Sequence, residues 1–198
     1  TASNAGHVRV YEYSSGSWSQ LGSDIDGEDN GDQSGRPISL NSDGTIVAIG
    51  ANYNDGNGSS SGHVRVYEYS STDVSWNQLG GDIDGEAASD YSGWSVSLSS
   101  DGTILAIGSP NNDGDDSTNS RRGHVRVYQY DASKETAVTD QNSADFGPIG
   151  WNRLGEDIDG EYGNDYSGSS VSLNSDTSSN IIVAIGAYAN DGTASNAG

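Results

Sequence analysis

The feature that most constrains this chain is internal repetition. Gly6-His7-Val8-Arg9-Val10-Tyr11-Glu12-Tyr13 returns unchanged at Gly62 to Tyr69, and again at Gly123 to Tyr130 with Gln129 in place of Glu. A Trp block follows each copy: Trp18-Ser19-Gln20-Leu21-Gly22, Trp76-Asn77-Gln78-Leu79-Gly80 and Trp151-Asn152-Arg153-Leu154-Gly155. An acidic block comes next, Asp24-Ile25-Asp26-Gly27-Glu28, matched by Asp82 to Glu86 and Asp157 to Glu161. A fourth block, Ser39 to Gly50, is matched by Ser97 to Gly108 and Ser172 to Gly186, and Asn-Asp-Gly closes each repeat at 54–56, 112–114 and 190–192. A unit repeated at this period buries its apolar face on its neighbours.

The chain reads as a single repeat domain, 1–198, with approximate repeats 7–62, 63–123 and 124–198. The extra length of the third copy lies mostly in Asp131 to Gly150, a surface-loop insertion of the kind that chains tolerate. Residues 193–198 repeat residues 1–6, so one 192-residue period is followed by an overlap, and a longer tandem array is expected. The alternative is one domain whose ends share a loop motif. Position 1 is not Met, and the chain is expected to be a processed product or a piece of something longer.

Each repeat supplies four strand candidates. His7–Tyr13 alternates in period two and is rich in β-formers. Trp18–Leu21 is short. Pro37–Leu40, with Trp94–Leu98 and Ser170–Leu173, alternates again. Thr45–Ile49 is a continuous apolar run, suited to a strand covered on both faces. Asn-Ser-Asp-Gly at 41–44 is a hairpin turn between the last two. The sequence therefore predicts an all-β protein of three tandem four-stranded antiparallel blades of β-propeller type, within a longer array.

Composition sets outer limits. The apolar share is low, 31%, but it is gathered into short β-like runs rather than dispersed. A net charge of −21 repels phosphate backbones, so nucleic acid is not an expected partner. The absence of Cys removes disulfides, thiolate metal sites and cysteine nucleophiles. No stretch approaches the roughly 20 apolar residues of a membrane-spanning helix. No nucleophile motif, phosphate-binding loop or dinucleotide fingerprint is present, and no enzyme activity is expected.

Asp32-Gln33-Ser34-Gly35, Asp90-Tyr91-Ser92-Gly93 and Asp165-Tyr166-Ser167-Gly168 stand where FG-GAP repeats carry their Phe-Gly pair, with Ser in place of Phe. Gly50-Ala51-Asn52, Gly108-Ser109-Pro110 and Gly186-Ala187-Tyr188 stand for the Gly-Ala-Pro signature. On these motifs the whole chain resembles the FG-GAP family, the blades of the integrin α-subunit head and of many surface proteins. The resemblance implies propeller blades and a calcium loop before the Gly-Ala-Pro strand. The matching positions here, Asn41, Asp43 and Gly44, or Ser99, Asp101 and Gly102, leave too few oxygens for the about six to eight that calcium takes, so that site is not carried over. Three blades are fewer than the about four to eight of closed propellers. Two 192-residue periods would give a six-bladed ring, and an open spiral of blades would give a fibre.

The densest polar clusters are Asp24, Asp26, Glu28 and Asp32; Asp82, Asp84, Glu86 and Asp90; and Asp157, Asp159, Glu161 and Asp165. Carboxylates grouped in one loop are hard ligands suited to calcium, or else a solvated acidic loop that pairs with a neighbour. His7, His63 and His124 either converge on an axis to bind zinc or begin a strand with a hydrogen bond. Arg9, Arg65 and Arg126 are expected to pair with carboxylates of the Asp-Ile-Asp-Gly-Glu loops. Trp18, Trp76 and Trp151 are expected core residues, and Trp94, which has no aromatic equivalent, is a candidate contact residue. Asn57-Gly58-Ser59 is a glycosylation sequon, and the Ser/Thr-rich loops at 58–61, 117–120 and 177–179 are candidates for O-glycans.

The expected function is that of an extracellular or cell-surface structural protein, one repeat unit of a fibre or surface assembly whose partners are copies of itself or neighbouring repeats. The alternative is a calcium-assisted adhesion module that binds glycans or cell-surface proteins.

Overall fold

The computed structural model describes residues 3–114, 121–174 and 180–191, and every regular element within them is a β-strand. The overlap of 193–198 with 1–6 lies largely outside these residues, as do the Ser/Thr loops at 117–120 and 177–179. The first layer holds β1 (His7–Val8), β2 (Tyr11–Ser14), β3 (Ser17–Gln20) and β4 (Ile25–Asp26), as two two-stranded sheets, β1-β4 and β2-β3. The second holds β5 (Ile38–Leu40), β6 (Ile46–Ala51), β7 (His63–Ser70) and β8 (Ser75–Gln78) in that order, with β9 (Ile83–Asp84) also paired to β7. The third repeats this plan with β10 (Ser95–Leu98), β11 (Ile104–Ser109), β12 (His124–Tyr130), β13 (Trp151–Arg153) and β14 (Ile158–Asp159). The fourth is the two-stranded pair β15 (Ser167–Asn174) and β16 (Ile182–Ala187).

The all-β class and most strand positions agree with the sequence reading; the β-propeller blades do not. The sheets are separate and small, with two or five strands, and none curls or closes into a ring or barrel. The physical reason lies in the apolar run at Thr45–Ile49. A strand covered on both faces and paired on both edges needs two partners, and it takes β5 from its own repeat and β7 from the next. Each five-stranded sheet is thus a hybrid of two successive repeats. Among the described residues two such sheets form, and the first and last layers hold two-stranded sheets.

The layers stack in series because alternation sends successive side chains to opposite faces. Val47 and Ile49 of β6 pack on Val8, Val10 and Ile25 of the first layer. Ala48, on the other face, joins Val64, Val66, Val96, Leu105, Ile107 and Trp151. Ile104, Ala106, Val125 and Val127 then meet Val171, Leu173, Val183 and Ile185 of the last layer. Polar contacts repeat with the same spacing. The Trp76 indole donates to the Leu21 carbonyl at 2.8 Å and Trp151 to the Leu79 carbonyl at 3.0 Å. The Leu98 amide donates to Ser39 Oγ at 3.0 Å and the Leu173 amide to Ser97 Oγ at 2.9 Å. The Asp-Gly hairpin forms as expected, with Gly44 at φ 75° and the Asp43 carboxylate accepting from the Thr45 amide and hydroxyl.

Candidate functional site

The acidic blocks are placed by very short strands. β4, β9 and β14 pair with the start of each His-Val-Arg strand, setting Asp26 opposite His7, Asp84 opposite His63 and Asp159 opposite His124. The central Ile of the block faces the core in the first two copies (Ile25, Ile83), so its flanking carboxylates turn outward. His and Arg, two residues apart, share one strand face. The sequence therefore brings each His and Arg onto the carboxylates of their own block.

The preceding repeat adds a further acid. Arg65 binds Asp82 in a two-pronged contact, Nε and Nη2 each at 2.9 Å, and Nη2 also contacts Glu28. Arg126 does the same with Asp157, at 2.8 and 2.7 Å, and contacts Glu86. His63 Nδ1 lies 4.0 Å from Glu28, Asp82 and Asp84. His124 Nδ1 lies 3.8 Å from Glu86 and 3.7 Å from Asp157. Gln78 donates to Asp82 at 2.7 Å, and Arg153 takes the same place on Asp157 at 2.9 Å. Phe146, from the inserted loop, lies under both guanidinium groups, 5.3 Å from Arg126 and 5.0 Å from Arg153.

Burial sets the charge states. It pushes the His124 imidazole down to about 4, with Arg126 adding to the effect, and it lowers His63 in the same way. Burial alone would raise Asp157 and Asp82, but the arginine hydrogen bonds and charges outweigh it and hold both carboxyls below the usual range. Two groups, Glu28–His63–Asp82 and Glu86–His124–Asp157, are capable of coordinating a metal ion. The three histidines do not converge on one axis. At each group, an incoming cation competes with the arginine for the same carboxylate oxygens.

The twelve acidic residues singled out from sequence divide into distinct roles. Asp24, Asp82 and Asp157 hold the arginine of their own repeat. Glu28 and Glu86 reach the arginine of the next repeat, while Glu161 accepts from Asn190 at 3.4 Å. Asp26, Asp84 and Asp159 lie opposite the histidines. Asp32, Asp90 and Asp165 are buried and accept from Asn54, Asn112 and Asn190 at 2.9, 2.9 and 2.8 Å. Burial nevertheless raises the Asp90 carboxyl, against the opposing effect of that bond and of the Ala87 amide. These asparagines lie in the closing Asn-Asp-Gly motif, whose recurrence in step with the acids was the available signal.

Around β9, Glu28, Asp29, Asp32, Asp55, Asp82 and Asp84 line an acidic cavity of about 480 Å³. Asn57 is exposed, but its side-chain nitrogen donates to the Gly85 and Glu86 carbonyls, both at 2.9 Å. Trp94 is stacked by Arg36 at 5.0 Å and met edge-on by Tyr91. The expectation of a core Trp in every repeat fails at Trp18, which is 69% exposed. No helix among the described residues is long and apolar enough to cross a membrane.

No curated protein matches the chain. The FG-GAP repeat family matches residues 83–128, a stretch that begins at β9 and ends within β12. It crosses the boundary between the second and third sequence repeats, as the third sheet does. The likeness is narrower than the whole-chain resemblance expected from the motifs: an FG-GAP-like motif is present between residues 83 and 128.

Proposed function

We propose that this chain is an extracellular structural protein, a repeat unit of a fibre or surface assembly. One observation carries the reading: each five-stranded sheet is assembled from two successive repeats. Material of this kind gains buried area and strand pairing with every repeat added. The alignment of the other two copies with the matched stretch supports an FG-GAP-type repeat along the whole chain. Electron microscopy of native material tests the function. Filaments with a uniform axial repeat support it, and discrete globules at all concentrations overturn it.

The acidic cavity beside β9 favours a second reading, an adhesion module that holds a glycan or cell-surface protein with the help of calcium. Calcium titration distinguishes the two. A calcium-dependent rise in Tm that magnesium at equal ionic strength does not reproduce supports adhesion, and an unchanged Tm removes its calcium component.

A further inference from the structure

The third repeat departs from the other two at one connection, the one that leads from its His-Val-Arg strand to its Trp strand. Two residues join β2 to β3 and four join β7 to β8, but twenty join β12 to β13. Those twenty are held by their own contacts. Val138 and Gly147 exchange both backbone hydrogen bonds, at 2.9 and 3.0 Å. Lys134 Nζ donates to the Asp145 and Trp151 carbonyls at 2.6 and 2.7 Å, and Arg153 Nη2 donates to the Gln141 carbonyl at 2.6 Å. The Gly81 amide donates to the Ile149 carbonyl at 2.8 Å, which ties the loop to the second repeat. A long loop bonded in this way is a built element, and such loops commonly carry binding sites.

Between this loop and the second acidic block lies a cavity of about 370 Å³, in the lower part of the range that small ligands occupy. The loop contributes apolar lining from Ala137, Val138, Phe146 and Pro148. The acidic block contributes Asp82, Ile83, Asp84 and Glu86, and β12 adds Arg126 and Tyr128. The acids are not equally available. Arg65 holds Asp82, and Arg126 is matched by Glu86 and Asp157. Asp84 is paired with no arginine or lysine among the described residues. Its ion-pair contact is His63 Nδ1, at 4.0 Å, and its side chain is 44% exposed. Asp26, its counterpart in the first block, precedes a repeat in which a four-residue turn takes the place of the loop. One carboxylate without an arginine, beside an apolar wall, suits a ligand with an apolar stem and a positive end.

We propose that this cavity binds an alkylammonium, with the stem against Val138, Phe146 and Pro148 and the charged end on Asp84. Phe146 contributes apolar surface rather than cation–π attraction, since its ring already carries Arg126 and Arg153. The same chemistry belongs to a free aliphatic amine and to a lysine side chain of another polypeptide. The site lies within one chain. It needs neither calcium nor a second copy, and it stands apart from both readings above.

Protein-observed NMR titration of the full chain with n-butylamine, and with a lysine residue capped at both ends, tests the site at neutral pH, where both probes carry a charged amine. The expected result is saturable shifts centred on the Gly85, Val138 and Gly147 amides, with a Kd of about 1 mM or lower for probes this small. Asp84→Asn should weaken binding about tenfold through loss of one charge-assisted contact. Asp26→Asn removes the same charge from the first block and should leave the affinity unchanged. Equal weakening by the two variants would mean unspecific attraction to a chain of net charge −21, and it overturns the site. Methylamine binding as tightly as n-butylamine overturns the role of the apolar wall, and the proposal with it. No saturable shift from either probe overturns it outright. Capped lysine binding at least as tightly as n-butylamine supports the site and names a polypeptide as the source; the reverse order supports it and names a free amine.

Discussion

Trp18 and Trp151 occupy the same place in the same repeated block, yet one is 69% exposed and the other fully buried. The same divergence runs through their repeats. Arg9 is half exposed with one carboxylate partner, whereas Arg126 is buried between two. His7 is exposed and His124 buried. Local sequence is nearly constant across this comparison, so it cannot be the cause. What differs is the preceding repeat, which supplies the strand beside β12, the carbonyl beneath Trp151 and the acid beside Arg126, together with the inserted loop, whose Phe146 lies under Arg126.

The largest test of that contrast is truncation at the two ends. Trp151→Ala should cost roughly 3–5 kcal/mol in denaturant unfolding, and Trp18→Ala in the dilute chain should cost little. Equal losses would mean that the first layer is as well packed as the third. Arg126→Leu should also cost about 3–5 kcal/mol, because it leaves partly buried Glu86 without its arginine and Asp157 with Arg153 alone. Arg9→Leu should leave the midpoint unchanged; a large loss there would refute the contrast.

A pH titration sharpens it next. An unfolded histidine takes up a proton near 6.5, but folded His124 does so only at about 4. Between those values the unfolded chain holds more protons, so stability falls as pH is lowered from 6.5 to about 4, by up to about 3 kcal/mol. His63 acts in the same direction. His124→Asn should flatten the fall, and an unaltered slope would place its cause elsewhere.

The smallest expected difference separates two glycines. Gly155→Ala meets open space but retains a φ of 71°, for a cost of about 1–2 kcal/mol. Gly80→Ala drives a Cβ into the Ile149 carbonyl and to within 2.9 Å of the Trp151 ring, so its Tm should drop further. Equal Tm values would show that the Trp151 seat yields easily.

Much of the fold could be read from particular residues. Alternation at Ser95–Leu98 and the apolar run at Ile104–Ser109 announce β10 and β11, and Asp-Gly announces the hairpin between them. β4, β9 and β14 escaped notice because two residues show no period, and Asp-Ile-Asp reads as loop until its partner strand lies beside it. For the candidate site, the pairing of Arg65 with its own block was foreseeable from the rarity of cations in so acidic a chain. The contribution of Glu28 to that pair was not, since it comes from the repeat before.

The sequence by itself determined the repeat, the all-β class and the side-chain alternation, because these depend on neighbours within a strand or turn. Only the tertiary structure decided which repeat lends a strand to which sheet, which of three equivalent tryptophans is buried, and which carboxylates meet a given arginine. Those outcomes depend on contacts between repeats. A repeating sequence offers the same residues at every junction, and burial is settled by whether a neighbour is there to fill it.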